Sequence, residues 1–280
     1  MSVDLTTHYL KLSLRNPIVV SACPLGSSID TLVALQDAGV AAVVLPSLFA
    51  EQIEHEEHEI FRLHEYAGDS SPESLSYFPE LESYNTGPEP HLEHVEAVKK
   101  RLEIPVIASL NATSSGKWTR YARLFELAGA DALELNIYFV PTNPASSAAD
   151  VERRYLDIIA EVASEIRIPL ALKIGPYFSS LPHFASQAIQ HGASGLVLFN
   201  RYLDPDLDLG TLVAKPHLEL STPSELRLVL RWLAILRDQV DVSLAATSGV
   251  HTGHDVIKTL LAGANAVMMA SALLKHGPQH

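Results

Sequence analysis

LAGADALEL at residues 127–135 returns in altered form as DAGVAAVVL at 37–45, QHGASGLVL at 190–198 and LAGANAVMM at 261–269. In each phrase a glycine (Gly39, Gly129, Gly192, Gly263) stands where a helix would end in positive φ, and the apolar run behind it is too short for another helix. Each phrase therefore reads as a helix stop followed by a strand. A second phrase alternates with the first: NPIVVSA at 16–22, IPVIASLN at 104–111, IPLALKIG at 168–175 and VSLAATSG at 242–249. Together they give eight strands, separated by amphipathic stretches of helix length at 28–38, 91–102, 117–128, 151–166, 181–191, 224–238 and 254–262.

Near-continuous apolar strands that alternate with helices imply parallel pairing and right-handed crossovers, and eight such units close into an α/β (β/α)8 TIM barrel. A doubly wound open sheet is the rival. The first βα turn, Ala22-Cys23-Pro24-Leu25-Gly26, lacks the GxGxxG pattern that would favour that rival. Two features break the regularity. Residues 49–90, after the second strand, are rich in Glu, His, Ser and Pro and far exceed an ordinary βα loop, so a lid-like excursion is expected there. Few residues follow the eighth strand, so the last helix should be short.

With 280 residues, 47% of them hydrophobic and 19% charged, the chain is expected to form one domain over 1–280 with a large core. Acidic residues outnumber basic ones, 33 to 20, giving a net charge of −13, which disfavours nucleic acid or an anionic membrane face as partner. A small-molecule substrate is expected instead, with a homodimer as the assembly considered. Cys23 is the lone cysteine, which excludes an internal disulfide and any metal site built from several thiolates. The opening MSVDLTTHYLKLSLRN has no apolar run of signal-peptide length, and no window reaches membrane-spanning length, so a cytoplasmic protein is expected.

In a (β/α)8 barrel, chemistry collects at the C-terminal ends of the strands. Those ends carry Ser21 to Cys23, Pro46 and Ser47, Asn111, Asn136, Lys173, Asn200, Ser248 and Gly249, and Ala270 with Ser271. Three asparagines, one lysine and several small residues make a hydrogen-bonding site without metal character. Alternation along LALKI turns Ala171 and Lys173 inward. An inward lysine faces an anionic ligand, serves as a nucleophile, or is paired with a neighbouring acid. TSGVHT at 247–252, before a helix, and Ala270-Ser271 after the eighth strand read as a phosphate site, because free NH groups and small residues after strands seven and eight favour an anion. The histidines at 55, 58, 64, 91 and 94 lie in charged context and do not form HExxH, so they read as surface rather than as metal ligands. Cys23, Trp118 and Trp232 read as packing.

LRNPIVVSA (14–22), LELNIY (133–138), LALKIGPYF (170–178), AATSGVHTGHDVIKTLLAGA (245–264) and ALLKHGP (272–278) resemble, in order, segments of the dihydroorotate dehydrogenase family. The resemblance implies a barrel that binds FMN. It places Lys173 at the flavin pyrimidine edge, Asn136 and Asn200 over the planar substrate, and Asn111 near flavin or substrate. It brings Ala22 and Ser47 to the cofactor, and gives the ribityl and phosphate to Ser221 and Thr222 (in LSTP), Ser248, Gly249, Ala270 and Ser271.

Two departures touch the reaction. Three residues after Asn136, where the family has a Cys or Ser base, stands Phe139; Tyr138 is the candidate replacement acid/base. In Val43-Val44-Leu45-Pro46-Ser47 the family's lysine is replaced by Pro46. The implied activity is FMN-dependent oxidation of dihydroorotate, or of a related cyclic dihydropyrimidine-like substrate, with a soluble electron acceptor. The alternatives are a Schiff-base aldolase-like barrel that uses Lys173 on a sugar phosphate, and an FMN-binding protein whose catalysis has decayed.

Overall fold

Thr7–Tyr9 (β1) and Leu12–Leu14 (β2) form an antiparallel hairpin whose two connecting residues, Leu10 and Lys11, both take positive φ, 52° and 62°. A left-handed conformation costs a non-glycine residue about 1–2 kcal/mol. Leu10, only 1% exposed, offsets this by burying a side chain, which contributes about 1.5–3 kcal/mol. The computed structural model describes residues 3–49, 88–112, 118–137, 139–201, 205–216 and 219–280.

The strands that follow are β3 (Ile18–Val20), β4 (Ala42–Val44), β5 (Leu48–Phe49), β6 (Val106–Ala112), β7 (Ala132–Ile137), β8 (Leu170–Ile174), β9 (Gly195–Leu198), β10 (Pro205–Asp208), β11 (Val213–Pro216), β12 (Ser243–Thr247) and β13 (Ala266–Met269). Between them run α1 (Ile29–Asp37), α2 (Glu89–Arg101), α3 (Trp118–Leu127), α4 (Ala148–Glu165), α5 (Leu181–Gln190), α6 (Leu226–Leu236), α7 (Gly253–Ala262) and, after β13, the short α8 (Ser271–His276). Strands β3, β4, β6, β7, β8, β9, β12 and β13 pair in parallel, and the pairing of β4 with both β3 and β6 closes them into the expected (β/α)8 barrel. All the strands and helices expected from the sequence are present, with their ends displaced by a few residues. The four repeat glycines take φ of 95° to 115°, as the helix-stop reading requires.

Side-chain alternation divides the core in two. Outward residues such as Val43, Leu133, Leu172 and Leu244 pack against the helices. Inward residues, among them Val19, Ala42, Ile107, Ala132, Ala171, Val197 and Ala266, join Tyr9, Leu10 and Leu14 of the hairpin, which plugs the barrel floor. Gly195 makes the plug possible: a Cβ there would lie 2.7 Å from Leu10 Cδ2. The Leu10 amide donates to Ser243 Oγ at 2.9 Å and Thr7 Oγ1 to the Asn265 carbonyl at 2.9 Å, tying the hairpin to β12 and to the start of β13. Among the described residues, the hairpin closes the floor and leaves the C-terminal ends of the strands as the open face of the barrel.

Of the lid-like excursion expected at 49–90, residues 50–87 lie outside the described residues. The sequence reading placed no element between β9 and α6, where β10 and β11 form an antiparallel hairpin with Leu207, Leu209, Leu212 and Val213 exposed. No helix among the described residues is long and apolar enough to cross a membrane.

Candidate active site

Three adjacent strands carry the polar interior. On β6, β7 and β8, the alternation that turns Ile107, Ala132 and Ala171 inward also turns Ser109 and Asn111, Glu134 and Asn136, and Lys173 inward. Register sets Ser109 beside Glu134, Asn111 beside Asn136, and Asn136 beside Lys173. Lys173 Nζ lies 3.1 Å from Glu134 Oε1 and 3.5 Å from Ser21 Oγ, with the Glu134 side chain fully buried and that of Lys173 8% exposed. The inward lysine therefore has an acid partner. One layer above, Asn136 Nδ2 donates to Ser47 Oγ (3.1 Å) and Ser109 Oγ (3.0 Å), and the two hydroxyls lie 2.7 Å apart. These bonds fix the Asn136 carboxamide. Its Oδ1, like that of Asn111, is buried without a hydrogen-bond partner. A buried acceptor left unpaired costs about 1–3 kcal/mol, so two of them side by side at the mouth of a barrel mark a place for donors on a ligand.

The opposite side of the mouth is built from backbone. A cavity of about 240 Å³ there is lined by Ser21, Ala22, Lys173, Asn200, Ser221 and Ser248, among others. Gly249, Ala270 and Ser271 also border it. Ser248 and Gly249 both take positive φ, 76° and 77°. At Gly249 a Cβ would lie 2.4 Å from the Leu226 nitrogen, so the turn tolerates only glycine against the start of α6. The Gly249 amide donates to Ser221 Oγ (3.3 Å) and the Ser221 amide to Ser271 Oγ (2.9 Å), which binds the three segments into one wall.

The segment leading into α7 touches this wall through His251, whose Nε2 lies 3.3 Å from Ser221 Oγ. Thr252 and Asp255 form a reciprocal cap, and the Asp255 carboxylate accepts from the amides of both His251 and Thr252. Burial works against ionisation of Asp255, but hydrogen bonds from Thr252, Lys258 and His251 hold its carboxyl below the usual range. Of TSGVHT, residues Thr247 to Val250 line the cavity, together with Ser221 and Ser271. Thr222 is exposed, its amide and hydroxyl engaged by Glu225 and Ser224 at the start of the 3-10 turn before α6, and it does not line the cavity.

Tyr138 lies outside the described residues. Its neighbour Phe139 is half-buried, with the Arg154 guanidinium carbon 4.1 Å from the ring centroid. Cys23 borders the cavity, but burial pushes its thiol up, which suits packing rather than proton abstraction. Trp118 is buried and Trp232 packs partly buried against the core. His94 is bonded to the Gly26 carbonyl (2.7 Å), and burial together with His94 lowers the His91 pKa. The histidines at 55, 58 and 64 lie outside the described residues. Sequence reasoning missed Glu134, Ser109 and Tyr9. Glu134 was readable, because it stands two residues before Asn136 and must share its face.

The dihydroorotate dehydrogenase family model matches residues 4–280. The chain belongs to the dihydroorotate dehydrogenase family. It is 25% identical to the catalytic subunit of dihydroorotate dehydrogenase B (NAD(+)) from Methanothermobacter thermautotrophicus, over 98% of this chain and 89% of that protein. It is 31% identical to a putative dihydroorotate dehydrogenase A (fumarate) from Aeropyrum pernix, over 62% of this chain and 58% of that protein. The chloroplastic dihydropyrimidine dehydrogenase (NADP(+)) of Arabidopsis thaliana is 23% identical over 99% of this chain and 70% of its own length. Membership makes this family protein an oxidoreductase acting on CH–CH bonds. The aldolase alternative is not favoured: Lys173 is engaged in a buried salt bridge, and a Schiff base needs an amine with a free lone pair.

Proposed function

We propose that this protein oxidises dihydroorotate, or a closely related cyclic ureide, with FMN as its hydride acceptor and a soluble electron acceptor to complete the cycle. The observation that carries the reading is the pair of buried, unpartnered carboxamide oxygens of Asn111 and Asn136, the latter beside Lys173 on the neighbouring strand. A ring whose N–H groups alternate with carbonyls supplies the donors those oxygens lack, and a cation beside them suits an anionic edge. FMN fits the residues present. The Ser248-Gly249 turn with Ser221 and Ser271 offers small residues and hydroxyls for a phosphate, and Lys173 lines the same cavity.

Bound there, FMN supplies a two-electron acceptor for hydride. The chain's own residues do the rest. Asn111 and Asn136, with Asn200 at the cavity, hold the substrate plane; Ser47 and Ser109 keep Asn136 from rotating; and Lys173 presents positive charge where negative charge accumulates. Tyr138 is the group proposed to take the substrate proton, since Phe139 has no atom that can accept one.

The test is an absorption spectrum of purified protein, with and without FMN, before and after anaerobic addition of dihydroorotate. A flavin band that bleaches supports the reading. Protein that stays colourless after FMN is added overturns it, and a band that does not bleach rejects dihydroorotate as substrate. For the proton, Tyr138→Phe should keep the flavin and lower turnover about 10²–10⁴-fold, the usual contribution of a general base. In the unsubstituted protein, turnover should rise with pH toward the ordinary phenol value of about 10. Turnover unchanged by the substitution would make Tyr138 a packing residue.

A further inference from the structure

Inside the barrel, directly below the mouth, lies a charged pair whose acid is fully buried and whose lysine reaches the cavity. Glu134 is 0% exposed and its carboxylate reaches the Lys173 ammonium at 3.1 Å; the other contact to that ammonium, from Ser21 Oγ, is long at 3.5 Å. Glu134 is therefore the main anchor of Lys173. We propose that Glu134 is a positioning residue that fixes the Lys173 ammonium at the cofactor cavity and balances its charge, and so sets how strongly the site favours reduced over oxidised FMN.

The inference rests on the FMN reading above and deepens it. Stability alone does not account for such a pair, because two buried charges replaced by apolar groups of similar volume commonly leave a fold as stable or more so. The pair's surroundings add no third charge. Among the described residues the other buried ionisable carboxylate is Asp255, on α7 outside the barrel interior, where it caps its own helix. Below Glu134, from the floor plug, comes Tyr9, fully buried, its hydroxyl and Glu134 Oε2 both without a hydrogen-bond partner. Burial first, and then the charge of Glu134, push the Tyr9 phenol well above its ordinary value, so it remains neutral. Among the described residues, Glu134 is then the single buried negative charge beneath Lys173. The cation is nearer the cavity, which Lys173 lines and Glu134 does not. A flavin above would feel a positive charge partly cancelled from below, and removing the cancellation should strengthen its pull on electrons.

The test measures the FMN midpoint potential by equilibration with reference dyes, alongside thermal melting, in Glu134→Gln and Glu134→Asp. Glu134→Gln keeps the shape and loses the charge, so reduced FMN should gain about tenfold over oxidised FMN, a positive shift of about 30 mV for a two-electron couple. Glu134→Asp keeps the charge but withdraws it by one methylene. Its potential should stay within about threefold of the unsubstituted ratio, while the rate of flavin reduction by dihydroorotate falls about tenfold from misplacement. A potential unmoved in Glu134→Gln, with only the melting temperature changed, would overturn the proposal and leave Glu134 a structural partner. Should Glu134→Gln not fold, Glu134→Gln/Lys173→Met carries the test, as it buries no charge. It must favour reduced FMN less than the unsubstituted protein, and an equal ratio overturns the proposal. Failure of the unsubstituted protein to bind FMN at all would instead reject the underlying function.

Discussion

The two sides of the barrel mouth are built by different means. Along β6, β7 and β8 the side chains do it: Ser109, Asn111, Glu134, Asn136 and Lys173 stand side by side in strand register, Asn136 bonded to Ser109 and Lys173 to Glu134. Across the mouth, after β12 and β13, the wall is a positive-φ turn at Ser248-Gly249 tied to Ser221 and Ser271, with little side chain beyond a hydroxyl. The first side is expensive to build and specific, because buried polar atoms call for partners and the Asn111 and Asn136 carboxamide oxygens still lack them. The second is cheap and general, because small residues and hydroxyls let an anion approach the backbone closely. A barrel that divides its mouth in this way can keep a cofactor grip while altering the substrate side, and the departures of this chain from its family's pattern, Pro46 and Phe139, both flank the side-chain half.

Lys173→Ala should break the comparison hardest. It leaves the Glu134 carboxylate buried and unpaired, a change that typically costs 3–5 kcal/mol, about the largest effect available to one substitution here. Flavin reduction should fall with it. Lys173→Ala/Glu134→Gln should recover most of the stability in a denaturant titration but none of the flavin reduction. If the single variant is as stable as the unsubstituted protein, the pair is not the interdependent unit described.

A middle-sized effect belongs to the opposite wall. Gly249→Ala demands a left-handed alanine whose Cβ would sit 2.4 Å from the Leu226 nitrogen, so α6 or the turn must move. A loss of about 1–3 kcal/mol follows from backbone strain of this kind. FMN affinity, read by fluorescence titration, should fall more than dihydroorotate affinity does. Equal losses would mean that the two sides are not separate.

How much of this was legible follows the same division. The eight strands could be read because glycine stops and short apolar runs repeat, and Lys173 could be turned inward by alternation alone. Glu134 obeys the same alternation but sits one layer below the strand ends, where a reading confined to the rim does not look. The floor hairpin left no turn signal, since Leu10 and Lys11 are poor left-handed residues held there by tertiary burial. The β10–β11 hairpin escaped for another reason: its apolar residues stay exposed, so no buried face imposes a pattern. Thr222 matched a motif and still points away, because Glu225 three residues on captures it as a helix cap.

The smallest effect tests whether α7 belongs to the anion wall. The Asp255 carboxylate accepts from the amides of His251 and Thr252, which lead into that helix, so a phosphate placed there would meet a carboxylate. Asp255→Asn should cost about 1 kcal/mol of stability at neutral pH, the usual worth of a helix cap. The pH dependence has a definite sign. The folded-state pKa of Asp255 is lowered from 3.8, so its contribution is fully present above that value and disappears as pH falls through the lower folded value. The stability gap between the two proteins should therefore be constant near neutrality and close in strong acid. FMN affinity should change less than about threefold, since Asp255 does not line the cavity that Ser221, Gly249 and Ser271 border. A gain in affinity well beyond that would show that Asp255 repels the bound anion. The N-terminus of α7 would then join the wall, and the backbone half of the mouth would reach one helix further than the hydrogen bonds now indicate.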